Sequence, residues 1–171
     1  KGESIPVLPK DVSFVVDASS SIPQHKLNIT VKGLRAALKQ LKPEDHFNVV
    51  VFRDAPQYFQ SEAVPASKEN LQAAGKFIDN LASSGQTDVF KALQPMVQKS
   101  RREGTPGVVV VVSDGRPTAG LQDSRAIING LTSDNSNGNG VYAFGGGKTV
   151  NRYLLDLLAY RNKGTAEVTS D

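Results

Sequence analysis

Five consecutive valines, Val108 to Val112, constrain this chain more than any other feature. β-branched side chains favour extended backbone, and a run without polar alternation belongs in a strand covered on both faces. The run ends in Ser-Asp-Gly-Arg-Pro-Thr-Ala-Gly, a turn-rich loop. Such a strand needs neighbours of its own kind, and the chain supplies them. Asp11 to Asp17 (DVSFVVD), His46 to Phe52 (HFNVVVF) and Val141 to Phe144 read as further buried strands. Gln57 to Ser61 reads as a short edge strand, and Thr165 to Val168 as a short last one.

Between the strands the apolar period changes. Leu27, Val31, Leu34, Leu38 and Leu41 recur three or four residues apart, the buried stripe of a helix ending before Pro43. Ser21 is its expected cap, with Pro23 in the first turn and Gln24 at the capping-box position. Ser67 should cap a helix through Leu71, Ala74, Phe77, Ile78 and Leu81. Gly85 to Asp88 reads as a turn into a helix bearing Val89, Leu93, Met96 and Val97. Helices are also expected over 124–131 and 151–159, with a polar, mobile loop over 134–140. Tyr142 and Phe144 read as core. Strand alternating with helix predicts an α/β fold: a doubly wound, mostly parallel sheet covered by helices on both faces.

Composition narrows the chemistry. The chain has 171 residues, ordinary for one domain, with no cysteine and two histidines. Thiolate metal sites, iron–sulfur clusters and cysteine nucleophiles are thereby excluded. The net charge of +3 is spread along the chain, and its densest clusters (Lys99, Arg101 and Arg102; Arg161 and Lys163) lack interleaved aromatics, so no nucleic-acid partner is expected. The valine run is far too short to enter a membrane. Residues 1–10 read as an extended lead-in, 11–168 as a single domain and 169–171 as a tail. Without an initiator methionine or an apolar targeting segment, the chain reads as a domain excised from a longer parent.

In an open α/β sheet, ligands bind beyond the carboxyl ends of the strands where strand order reverses. Three loops offer small oxygen-bearing side chains there: Asp17, Ser19 and Ser21 after the first strand, Thr87 beside Asp88 at a helix start, and Asp114 after the valine strand. Two carboxylates and three hydroxyls form a hard-oxygen set, suited to Mg²⁺, Mn²⁺ or Ca²⁺ over zinc or copper. Neutral hydroxyls leave the cation electron-poor and receptive to an outside carboxylate. Taken singly, Ser21 and Thr87 also stand where helix caps are expected. Asp88 reads as a helix-start carboxylate, and both histidines as ordinary structural residues.

Asp-x-Ser-x-Ser, the later Thr87 and the Asp114-Gly115 pair resemble the metal-ion-dependent adhesion site of the von Willebrand factor type A family. The segments FVVDASSSI, LKPEDHFNVVVF, GQTDVFKAL, VVVVSDGRPTAG and YAFGGG carry the resemblance across residues 11–168, nearest in flavour to inter-alpha-trypsin-inhibitor heavy-chain-like and bacterial relatives. It implies a Rossmann-like sheet of about six strands with one antiparallel edge strand, matched by Gln57 to Ser61. It also implies Ser19 and Ser21 as direct metal ligands, and Thr87 as the ligand that coordinates directly in the ligand-competent form. Asp17 and Asp114 correspond to carboxylates acting through metal-bound water, with a partner's Glu or Asp completing the octahedron. Two positions depart from the family pattern, Ser20 and Gln86 standing where glycines are common. Ser20 either strains a left-handed backbone or narrows access to the metal.

The leading expectation is a non-enzymatic, divalent-cation-dependent protein-binding module in an extracellular, cell-surface or periplasmic setting. The alternatives are a metal-assisted phosphatase or hydrolase, for which Lys148 is the candidate phosphate-holding lysine, and a structural assembly domain that needs no metal. Gly145 to Gly147 is expected to form a flexible rim loop, with Arg116 near the same rim.

Overall fold

A computed structural model describes residues 8–147 and 149–169. Among the described residues, seven strands form one sheet: β1 (Asp11–Asp17), β2 (His46–Phe52), β3 (Pro56–Tyr58), β4 (Val64–Pro65), β5 (Gly107–Val112), β6 (Gly140–Gly146) and β7 (Ala166–Thr169). Five helices accompany them: α1 (Gln24–Leu38), α2 (Lys68–Asp79), α3 (Val89–Gln98), α4 (Ser124–Asp134) and α5 (Arg152–Arg161).

The strand order is β3-β2-β1-β5-β6-β7, parallel throughout except at the β3 edge. The expected antiparallel edge is present but broken in two. β3 pairs with Val50–Phe52 and β4 with His46–Phe47, both along β2. The β4 fragment went unanticipated, because two residues carry no periodic signal. Strand order turns around between β1 and β5, so the loops after these two strands face each other across the switch point.

The helices form two layers. Leu27, Leu34 and Leu38 of α1, with Ala74 and Ile78 of α2, pack on Phe14, Val16, Val49 and Val51. On the opposite face, Leu93 and Met96 of α3, Ile127 and Leu131 of α4, and Leu154 and Leu158 of α5 pack on Val15, Val109, Val111 and Ala143. β5 is central, as its valines require, yet its two faces differ: Val109 and Val111 are buried, while Val108, Val110 and Val112 are half-buried. Tyr142 and Phe144 are in register with Val110 and Val112 and share this thinly covered face. Phe144 is therefore 43% exposed and not a core residue as the sequence suggested.

The base of the sheet is fastened by ions. The buried Asp45 carboxylate accepts the Lys10 amide at 3.0 Å, the Lys10 ammonium at 2.8 Å and the Lys42 amide at 2.8 Å. Arg102 is bonded to Asp11 at 2.7 Å, and Lys99 lies 3.0 Å from Glu62. The basic cluster is thus partly spent on structural pairs.

The stretch expected to be a mobile loop is held by asparagines. α4 runs on to Asp134, and Asn135 donates both to the Asn139 carbonyl and to Asn162 Oδ1, each at 2.8 Å. Asn139, 3% exposed, donates to the carbonyls of Val97 at 2.9 Å and Lys99 at 3.1 Å. Polar composition was misread as mobility because these amides satisfy backbone groups instead of facing water.

Candidate metal centre

β1 ends at Asp17, and the chain turns sharply because the Asp17 carboxylate accepts the amide of Ser19 at 2.9 Å. Its second oxygen accepts the Ser113 hydroxyl at 2.7 Å, from the loop after β5. The Ser19 and Ser21 hydroxyls lie 3.0 Å apart. Asp114 follows Ser113, takes the Arg116 amide at 3.0 Å on its carboxylate, and lies close enough to Asp17 for mutual repulsion. Arg116 itself is exposed beside it.

Thr87 arrives from a third direction. Its amide donates to the Thr118 hydroxyl at 2.9 Å, and its carbonyl accepts the amides of Thr118 at 2.9 Å and Ala119 at 3.1 Å. The backbone of Thr87 is thereby tied to the loop after β5. Its side-chain oxygen is different: Thr87 is fully buried, and among the described residues Oγ1 has no hydrogen-bond partner. A buried hydroxyl left unpaired costs about 1–3 kcal/mol.

The capping explanations separate from the site. α1 starts at Gln24 after Pro23, and no side chain caps it. Ser21 Oγ meets Ser19 instead, and the Gln24 amide reaches across to the Leu81 carbonyl and the Ser83 amide. α3 is capped by Asp88, whose carboxylate accepts the Lys91 amide at 3.0 Å. Neither Ser21 nor Thr87 is used as a cap.

Electrostatics point the same way. Asp17 and Asp114 are 2% and 5% exposed, and among the described residues neither forms an ion pair. Burial pushes the Asp17 carboxyl above its ordinary range, against hydrogen bonds from Ser19 and Ser113, and the Asp114 charge adds to the rise. Two buried carboxylates without a cationic partner, at the sheet end to which the backbone of Thr87 is also tied, fit a hard divalent cation. Among the described residues, no three His, Cys, Asp or Glu side chains cluster to hold a metal, so any cation here depends on hydroxyl donors. Asp17, Ser19, Ser21, Thr87 and Asp114 are the residues that would hold it.

Sequence reasoning missed Ser113 and Thr118, which fasten Asp17 and Thr87 from the loop after β5. Ser113 was legible in principle, as a polar residue directly following an all-valine strand. Gly145 and Gly146, expected in a flexible rim, are the end of β6. A Cβ on Gly145 would lie 2.9 Å from Leu155 and 3.2 Å from the Ser113 carbonyl, so this glycine lets strand, helix and site loop close together. Lys148 lies outside the described residues.

A doubly wound sheet with a hydroxyl-and-carboxylate cluster at its switch point defines an open α/β domain of the Rossmann-like kind. More narrowly, the chain belongs to the von Willebrand factor type A domain family, whose model matches residues 10–168. It is 31% identical over 172 residues to human inter-alpha-trypsin inhibitor heavy chain H4, covering 96% of this chain and 18% of that protein. The chain thus spans about a fifth of the length of the curated relatives it matches. Its fold is similar to that of a von Willebrand factor type A protein from Catenulispora acidiphila, with a TM-score of 0.83 and 16% identity over 95% of this chain and 39% of that one. Proximal thread matrix protein 1 from the mussel byssus, with a zinc-occupied MIDAS motif, is similar at a TM-score of 0.71 and 20% identity, covering 95% of this chain and 42% of that one.

Proposed function

We propose that residues 11–168 act as one protein-binding module whose grip depends on a divalent cation held by Asp17, Ser19, Ser21, Thr87 and Asp114. The observation that carries this reading is the fully buried, unpartnered hydroxyl of Thr87 at the switch point of the sheet. Mg²⁺ is the cation the hard-oxygen set favours, with Mn²⁺ and Ca²⁺ as alternatives. The zinc in the MIDAS motif of the byssus protein makes Zn²⁺ the competitor to include.

When bound, the cation supplies a Lewis-acidic point to which a partner's Glu or Asp is drawn. The protein's own residues do the rest. Ser113 and the Ser19 amide hold the Asp17 carboxylate in one orientation, and the Thr118 hydroxyl and amide fix the backbone of Thr87. The neutral ligands leave charge on the cation for the partner to neutralise. Ser20 is exposed between the two serines. An extracellular, cell-surface or periplasmic setting fits the byssal thread relative and the heavy-chain relatives.

The test is calorimetric titration with Mg²⁺, Mn²⁺, Ca²⁺ and Zn²⁺, followed by binding of a glutamate-bearing peptide with and without chelator. The reading expects saturable cation uptake that Thr87→Ala weakens, and peptide binding that chelator abolishes. Peptide binding indifferent to chelator, or turnover of a generic phosphate ester that requires Mg²⁺ and Asp17, would replace it with one of the other two readings.

A further inference from the structure

Ser20 stands between Ser19 and Ser21, the two candidate serine ligands. Its backbone is not left-handed, since Lys163 is the one non-glycine residue with positive φ among the described residues. Serine therefore costs nothing in strain here. Its hydroxyl is engaged: Oγ donates to the Gly85 carbonyl at 2.6 Å, and the Ser20 amide donates to the same oxygen at 3.0 Å.

The receiving segment is built to offer that carbonyl. Gly85 has φ +75°, and a Cβ there would lie 2.4 Å from the Asp54 carboxylate, so only glycine serves. Asp54 in turn accepts the Gln86 amide at 2.9 Å. Gln86, the second departure from the family pattern, needs no left-handed backbone either. Three consecutive residues are thus pinned at successive polar atoms: the Gly85 carbonyl by Ser20, the Gln86 amide by Asp54 and the Thr87 amide by Thr118. What these bonds leave unpaired is the Thr87 hydroxyl.

We propose that Ser20 is a positioning residue for the cation site: its hydroxyl couples the loop carrying Ser19 and Ser21 to the turn that delivers Thr87. The inference rests on the cation-binding reading above. Ser20 touches no cation in it; the residue acts through Thr87, by making the placement of one ligand set depend on the other. Loss of the hydroxyl leaves the Gly85 carbonyl held by the Ser20 amide alone, which loosens the turn and shifts Thr87 from its place.

A double-mutant cycle on Mn²⁺ affinity, read by calorimetry at cation concentrations that saturate the weakest variant, tests this. Ser20→Ala should weaken Mn²⁺ binding about threefold to tenfold, the range one hydrogen bond allows. In the Thr87→Ala background the same substitution should cost nothing further, because its route to the cation is gone. Ser20→Thr, which keeps the hydroxyl, should restore affinity. Ser20 is exposed, so Ser20→Ala should stay folded in chelator, its melting temperature lowered by no more than one exposed hydrogen bond allows. Unchanged affinity in Ser20→Ala, or an equal loss in both backgrounds, overturns the positioning role while leaving the cation site intact. A wild-type chain that takes up no Mn²⁺ overturns both.

Discussion

Asp45 shows how much one side chain can fasten. It lies just before β2, and its carboxylate takes three hydrogen bonds from residues on either side of the sheet base. Burial alone pushes its pKa up; the Lys10 ammonium, the Lys42 amide and the Lys10 amide outweigh that, and the carboxyl is held below its ordinary value of 3.8. A lowered folded pKa means that the ionised form stabilises the fold. The contribution is therefore complete above the unfolded pKa and is lost as pH falls through the folded one. Asp45→Asn is expected to destabilise the chain by about 1.5–3 kcal/mol at neutral pH. In urea melts, the gap between variant and wild type should hold from pH 7 to about pH 5 and narrow progressively once pH falls below the ordinary carboxylate value of 3.8. A gap that stays constant down to pH 3 would mean that shape, not charge, is what Asp45 provides. The candidate site residues were legible at this scale because Asp17, Ser19, Ser21 and Asp114 are oxygen-bearing types at or just after strand ends, and Thr87 is one just before a helix. Thr118 and Asp54 were not, since their roles exist only across loops that the sequence separates by tens of residues.

At the scale of elements, periodicity located every helix and the long strands, and end chemistry was the weak point. Ser21 and Thr87 satisfy the residue preference for caps, yet the structure caps α3 with Asp88 and starts α1 after Pro23. A cap is decided by which oxygen reaches the second or third amide, and neighbouring candidates cannot be told apart by type. The asparagines between α4 and β6 illustrate the same limit. Asn139 reaches two carbonyls at the end of α3 and its carbonyl receives Asn135, so one residue joins α3, α4 and β6. Asn139→Ala should leave the Val97 and Lys99 carbonyls without that partner in a buried place and lower stability by about 1–3 kcal/mol. Asn137→Ala, which loses a single exposed bond to Gln98, should cost less than about 0.5 kcal/mol. Equal effects of the two in chemical denaturation would show the turn to be as loosely held as its composition suggests.

The whole molecule balances a sheet that wants to be buried against a site that is expensive to bury. The valine run implied cover on both faces, and the sheet has it fully on one; over β5 and β6 the other face stays thin, leaving Phe144 exposed. At the switch point the cost is electrostatic: Asp17 is ionisable, buried and close to Asp114, and its raised pKa means that the ionised form opposes folding. Asp17→Asn removes that charge while keeping an acceptor for the Ser19 amide, and the Ser113 hydroxyl can turn to accept from the new amide. In chelator the variant should therefore melt at or above the wild-type temperature. Added Mg²⁺ reverses the order, because a cation bound only by the folded state stabilises it by mass action, about 2.7 kcal/mol at a hundredfold excess over the dissociation constant. The wild-type melting temperature should climb with the logarithm of Mg²⁺ concentration while that of Asp17→Asn stays flat, so the two curves cross. A purely structural Asp17 gives no crossing: its variant would be the less stable at every Mg²⁺ concentration. Thermal melts across a Mg²⁺ series thus separate a carboxylate kept for the fold from one kept for a cation.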